Sequence, residues 1–137
     1  MAAFLDTNIL IYAALQPDRR TDTARSLLTR RSIVSVQVLN EFASVARRKL
    51  RRGWPEITQA LALIRELIAS PLSVTIDTHQ AALKLAAATG YHFYDALILA
   101  SALEAGCDTL FSEDLQDGRV IAERLTIRNP FASNTPT

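Results

Sequence analysis

The stretch Tyr94-Asp95-Ala96-Leu97-Ile98-Leu99-Ala100-Ser101-Ala102-Leu103-Glu104-Ala105-Gly106-Cys107-Asp108-Thr109-Leu110-Phe111-Ser112-Glu113-Asp114 decides the fold. Tyr94 to Ala105 is apolar nearly all round, which predicts a helix buried deep in the protein. Gly106 closes it, and Cys107 to Phe111 follows as a short strand. The same alternation recurs upstream. Ala3-Phe4-Leu5 reads as a buried strand that runs into Asp6-Thr7-Asn8. Helices are predicted over Ile9 to Leu15 and Thr21 to Arg30, separated by the break at Pro17-Asp18. Ser32 to Val36 reads as a second strand. A long helix runs from Gln37 to about Arg52 and is closed by Gly53 and Pro55, and another covers Glu56 to Ala69. Leu72 to Ile76 reads as a strand, after which Asp77-Thr78-His79-Gln80 opens a helix ending at Gly90, with Asp77 and Gln80 as its capping box. Leu125-Thr126-Ile127 closes the series, before the turn Arg128-Asn129-Pro130. Short strands alternating with helices predict an α/β fold with a parallel sheet covered on both faces.

Composition fits such a fold. The 137 residues are 49% apolar, enough for one core without disulfides or metal staples. A single domain over residues 1–131 is expected, followed by a small, polar, flexible tail over 132–137. Lys and Arg number 15 against 14 Asp and Glu, a formal net charge of +1, so overall charge points to no nucleic-acid or membrane partner. The single cysteine, Cys107, suits a reducing cytosol, and a cytoplasmic location is expected. No apolar run approaches the length of a membrane helix, so no membrane partner is expected.

Ligands of parallel sheets bind beyond the carboxyl ends of the strands. Asp6 follows the first strand directly, and Asp114 lies just past Phe111. Asp95 opens the buried helix, and Glu41 lies near the start of the long helix after the second strand. Each has an ordinary alternative: Asp6 and Asp95 as helix caps, and Glu41 as a solvated residue opposite the stripe Leu39, Phe42, Ala43, Ala46 and Leu50. Together they map to one end of the sheet. Clustered carboxylates repel unless protons or a cation neutralise them. Oxygen donors without His or Cys select Mg²⁺ or Mn²⁺, and such a site suits phosphodiester hydrolysis. His79 and His92 lack the spacing of a zinc site and read as ordinary helix or loop residues.

Four segments resemble the PIN-domain ribonucleases, most closely the VapC-type toxins of toxin–antitoxin pairs. These are Phe4-Leu5-Asp6-Thr7-Asn8-Ile9-Leu10, Leu39-Asn40-Glu41-Phe42, Tyr94-Asp95-Ala96-Leu97-Ile98 and Leu110-Phe111-Ser112-Glu113-Asp114-Leu115-Gln116-Asp117-Gly118. The likeness spans nearly the whole chain, and the closing Ile127-Arg128-Asn129-Pro130-Phe131 fits it. It implies a three-layer α/β/α sandwich and an Mg²⁺- or Mn²⁺-dependent endoribonuclease. Asp6, Glu41, Asp95 and Asp114 match the family's catalytic quartet, with Asp6, Asp95 and Asp114 as metal ligands. Asn8 and Ser112 match its supporting polar residues. For Asp117 two readings stand open, a supporting role at the metal or a turn residue before Gly118; Glu113 reads as exposed. The resemblance also implies an RNA substrate, a cognate antitoxin and a homodimer. Ile11, Tyr12, Val38 and Val45 suit either that dimer interface or the core.

Arg47-Arg48-Lys49-Leu50-Arg51-Arg52 holds a third of the 15 basic residues, with Trp54 just beyond. On a continuous helix Arg48 and Arg52 share the face of Glu41, about 10 and 16 Å along the axis. They read as RNA-binding residues, or as a basic helix end favoured by its dipole; Trp54 reads as a base-stacking, core or interface residue. A dehalogenase-like phosphatase would need an Asp where Asn8 stands. A receiver domain would need a phosphorylatable Asp after its third strand. A PIN domain that binds RNA without cutting it is the alternative function.

Overall fold

The computed structural model describes residues 2–68 and 70–132. Its elements run β1 (Ala3–Leu5), α1 (Thr7–Ala14), α2 (Thr21–Leu28), β2 (Ser32–Ile33), α3 (Val36–Arg48), α4 (Trp54–Leu67), α5 (Ile76–Thr89), α6 (Phe93–Glu104), β3 (Thr109–Phe111), β4 (Val120–Ile121) and β5 (Leu125–Arg128). The strands form one sheet in the order β2-β1-β3-β5-β4. β1 lies parallel to both β2 and β3, β3 lies parallel to β5, and only the edge strand β4 is antiparallel. This is the expected α/β sandwich on a mainly parallel sheet.

Phe4, Leu5, Leu110, Leu125 and Ile127 carry the sheet's share of the core, and Ile9, Leu10, Val38, Phe42, Ile98 and Leu99 pack onto it from the helices. α6 is buried from Ala96 through Ala102, as its unbroken apolar run predicts. One side of it meets the main core, and Ala96, Leu97 and Ala100 meet Ala82 of α5. Alanines at that contact let the two helices approach closely. Among the described residues no helix is long and apolar enough to cross a membrane.

Several boundaries differ from the sequence reading, each for a local reason. The strand expected over Ser32 to Val36 stops at Ile33, because Ser35 turns into the N-cap of α3, its hydroxyl accepting from the Val38 N–H. Leu72 to Ile76 is no strand. Leu72 makes a single parallel bridge to Ser35, and Thr75 then caps α5 in a reciprocal box with Thr78. The capping box is therefore Thr75/Thr78 rather than Asp77/Gln80, and Asp77 sits in the first turn. β4 is only two residues long, too short for any periodicity to reveal. α3 ends at Arg48, and the chain reverses through Arg51 in the left-handed region (φ 56°). Arg52 thus leaves the helical face of Glu41. Ile11 and Val38 are buried core residues, whereas Tyr12 and Val45 are only partly covered. The tail expected over 132–137 lies, apart from Ala132, outside the described residues.

Candidate active site

Strand register builds the site. Leu5 pairs with Phe111, so the residues that follow, Asp6 and Ser112, emerge side by side at the carboxyl end of the sheet. The Asp6 N–H donates to the Phe111 carbonyl (3.0 Å) and locks that edge. Asp6 is the N-cap of α1: Oδ1 accepts from the Thr7 N–H (2.7 Å), and Oδ2 accepts from the Ser112 hydroxyl (2.7 Å). The fully buried Ser112 Oγ in turn accepts from the amides of Asp114 (3.2 Å) and Leu115 (3.3 Å). One hydroxyl therefore ties the first acid to the loop that carries the last.

The other acids are steered in the same way. Asn8, on the first turn of α1, donates from Nδ2 to Asp114 Oδ2 (3.2 Å) and accepts from the Glu113 N–H at Oδ1 (3.2 Å). Glu41, half-buried on α3, accepts from Thr7 Oγ1 (3.3 Å) and from Gln37 Nε2 (3.0 Å). Asp95 lies in the first turn of α6, but His92 is that helix's cap, its Nδ1 accepting from the Tyr94 N–H (3.3 Å). The cap explanation accordingly holds for Asp6 and not for Asp95.

The electrostatics follow from this crowding. Burial pushes the Asp6 carboxyl up to about 7 against the lowering effect of its Ser112 and Thr7 bonds, and the charges of Glu41 and Asp95 add to the rise. Glu41 is raised by burial, by more than its Gln37 bond lowers it, with Asp95 adding to the rise. Asp95 is raised by burial and by Asp114, while His92 works the other way. Asp6 and Glu41 are each raised by another of these acids, and Asp95 by Asp114, so the carboxylates act on one another across the site. Glu41 and Asp95 open into a cleft of about 470 Å³ whose walls also include Arg48, His92 and Tyr94. A larger groove of about 550 Å³, walled by Leu28, Ala60, Leu63 and Leu67, has none of the four acids in its lining.

The donor set is entirely carboxylate oxygen, which matches a hard divalent cation. The spacing is open: among the described residues no three His, Cys, Asp or Glu side chains form a group that could hold a metal ion as they stand.

Other residues singled out in the sequence stand elsewhere. Asp117 accepts from the Asn129 N–H (2.9 Å), which makes it a brace of the turn before β4. Glu113 is not exposed as expected. It is half-buried, accepts from Tyr12 Oη, and pairs with Arg20 Nη1 at 3.0 and 3.1 Å. The Arg20 guanidinium lies 3.8 Å over the Tyr12 ring and also meets Asp18. Arg52 is committed to Glu56 (2.6 Å) and the Leu15 carbonyl (2.6 Å), so the expected pairing of Arg48 and Arg52 on one helical face does not form. Trp54 is 55% exposed beneath the Arg47 guanidinium, outside the core. The sequence reading missed Thr7, Gln37 and His92. Gln37 was detectable as the residue four before Glu41 on one helix, and Thr7 as the middle of Asp-Thr-Asn.

The Arg20–Glu113 pair yields a prediction. Arg20→Met should lower stability by about 1 kcal/mol in urea unfolding, because the pair is partly exposed and Tyr12 keeps one bond to Glu113. An unchanged midpoint would mean that solvent replaces the pair without cost.

Fold and site together define a class: an α/β protein that gathers acids from four elements at the carboxyl edge of a parallel sheet. The PIN domain family profile matches residues 3–120, and the chain belongs to that family. The fold is also that of solved toxins. VapC20 of Mycobacterium tuberculosis, a sarcin–ricin loop cleaving toxin, superposes with a TM-score of 0.68 at 24% identity, over 82% of this chain and 91% of its own. A toxin–antitoxin complex from Klebsiella pneumoniae gives 0.72 at 19% identity, over 94% and 98%. VapBC2 of Rickettsia felis, bound to a DNA fragment from its promoter, gives 0.66 at 19% identity, over 94% and 98%. At these identities the likeness establishes the fold. The curated proteins give no significant match.

Proposed function

We propose that this protein is an Mg²⁺- or Mn²⁺-dependent endoribonuclease that acts as the toxin of a toxin–antitoxin pair in the cytoplasm, as a homodimer. The observation that carries the reading is the meeting of Asp6, Glu41, Asp95 and Asp114 at one end of the sheet, where Asp6, Glu41 and Asp95 are each raised by burial and by another of the four. A divalent cation relieves that repulsion. Membership of the PIN domain family supports the nuclease reading, and the toxin–antitoxin complexes that share the fold support a protein antitoxin as partner.

Asp6, Asp95 and Asp114 are the residues that would hold the cation. When bound, it supplies Lewis acidity at the scissile phosphate. Ser112 and Thr7 orient the two oxygens of Asp6, and Asn8 orients one oxygen of Asp114, so the acids would need only to close their open spacing around the cation. Glu41 is the candidate general base for the attacking water. Burial raises its affinity for protons above that of an ordinary glutamate, which favours a base, and Thr7 and Gln37 hold it at the cleft.

The test is direct. Structured RNA incubated with the purified protein should be cut in Mg²⁺ or Mn²⁺ and left intact in EDTA. Cleavage should rise as pH passes upward through about 7, since the cation competes with a proton at Asp6. Cutting that survives EDTA would overturn the metal-dependent reading. The open spacing of the carboxylates favours a second reading, a PIN domain that binds RNA without cutting it. Binding with no cleavage of any RNA would establish that one instead.

A further inference from the structure

We propose that the cleft beside Glu41 and Asp95 is a subsite for one unpaired nucleotide of the RNA, with Tyr94 stacking on its base and Arg48 meeting a neighbouring phosphate. The proposal rests on the nuclease reading for the identity of the strand, and on independent geometry for the subsite.

Tyr94 is 52% exposed, although Ala96 to Ala102 on the same helix are all buried. An aromatic ring held in solvent beside an acidic site has apolar surface still to bury, and a base face matches it in size and polarity. The ring is also held in place before anything binds. It lies 5.7 Å from the His92 ring and 5.7 Å from the Phe93 ring, and its own N–H is tied to His92 Nδ1. A platform already ordered loses little entropy on stacking.

Arg48 supplies the opposite charge. It lines the same cleft, seven residues beyond Glu41 on α3, which is about 10 Å along the axis. Its Nε donates to Ser44 Oγ (3.1 Å), which orients the guanidinium, and among the described residues no carboxylate lies within salt-bridge distance of it. Two of its basic neighbours are engaged elsewhere, Arg52 by Glu56 and the Leu15 carbonyl and Arg47 by the Trp54 ring. Without a cation the carboxylates at the near end repel phosphate, so a neighbouring phosphate of the RNA is drawn to the Arg48 end while the base faces Tyr94. The cleft's 470 Å³ suits one nucleotide but no duplex, whose bases present no free face for stacking.

Binding without turnover tests this. A fluorescently labelled single-stranded RNA and its duplex are titrated by anisotropy, in EDTA, against the wild type, Tyr94→Phe, Tyr94→Leu and Arg48→Gln. Thermal melts accompany each variant. Tyr94→Phe keeps the ring and should bind within about twofold of wild type. Tyr94→Leu should bind about tenfold more weakly with an unchanged salt slope. Arg48→Gln should weaken binding and reduce the salt slope by about one. The duplex should bind more weakly than the single strand and be indifferent to Tyr94. Wild-type affinity in Tyr94→Leu, or a duplex bound as tightly as the single strand, would overturn the subsite. If Tyr94→Leu weakens binding but the wild type cuts no RNA, the subsite stands and the nuclease reading falls. If the wild type cuts RNA and Tyr94→Leu cuts and binds as well, the reverse holds.

Discussion

Asp6→Asn is expected to abolish RNA cleavage while making the metal-free protein more stable at pH 8. Asp6 titrates at about 7 in the folded chain against an ordinary 3.8. Between those values the folded protein binds more protons than the unfolded chain, so stability falls as pH rises through the window. Above it the full cost of an ionised, buried carboxylate is present. Asparagine cannot ionise and escapes that cost, a gain on the order of 2–4 kcal/mol at about 1.36 kcal/mol per pH unit. It keeps an acceptor for the Thr7 N–H but turns an amino group toward Ser112, whose oxygen already accepts two amides. That conflict takes back about 1 kcal/mol. The wild type should therefore lose stability between pH 4 and pH 8 more steeply than the variant, as followed by urea unfolding. Removing a metal ligand should reduce cleavage by more than the ~100-fold typical of losing a residue that merely orients one. A variant less stable than wild type at pH 8 would mean that Asp6 serves chiefly as the cap of α1.

Ser112→Ala is expected to damage both stability and activity. The hydroxyl makes one donated and two accepted bonds in a fully buried position. Alanine leaves the Asp114 and Leu115 amides without their acceptor and Asp6 without its donor, at about 1–3 kcal/mol per group. The expected total is at least about 3 kcal/mol, with Asp6 pushed further toward its protonated form. Cleavage should fall most below neutral pH, where Asp6 is hardest to ionise. Ser112→Thr restores the hydroxyl and should recover the pH profile, at a stability cost of about 1–3 kcal/mol for the added methyl. A pH profile in Ser112→Ala identical to wild type would break the link between this hydroxyl and Asp6.

The sequence makes the sheet end legible because chemistry and chain order coincide there. Asp6 and Asp114 directly follow or nearly follow strands whose apolar runs are plain, and α6 announces itself by a burial no surface helix could tolerate. What stayed hidden depends on three-dimensional neighbours. The hydroxyl of Thr75 caps α5 because its partner Thr78 reciprocates, while Asp77 and Gln80 satisfy the same spacing rule. Arg52 looked like a continuation of the Glu41 face until the reversal at Arg51, a conformation that no propensity assigns to arginine. Glu113 looked like a solvated neighbour of Asp114 because its partners, Tyr12 and Arg20, come from 101 and 93 residues away. His92 carries no ligand spacing, and although it stands three residues before Asp95, only the packing of α6 against α3 brings it into the same cleft as Glu41.

Binding of Mn²⁺, followed by loss of the free-ion electron paramagnetic resonance signal, tests the central claim most directly. At pH 8 the wild type should withdraw Mn²⁺ from solution in stoichiometric amounts, and Asp6→Asn at equal concentration should leave nearly all of it free. Equal uptake by the two proteins, or none by either, would contradict a cation shared by these carboxylates.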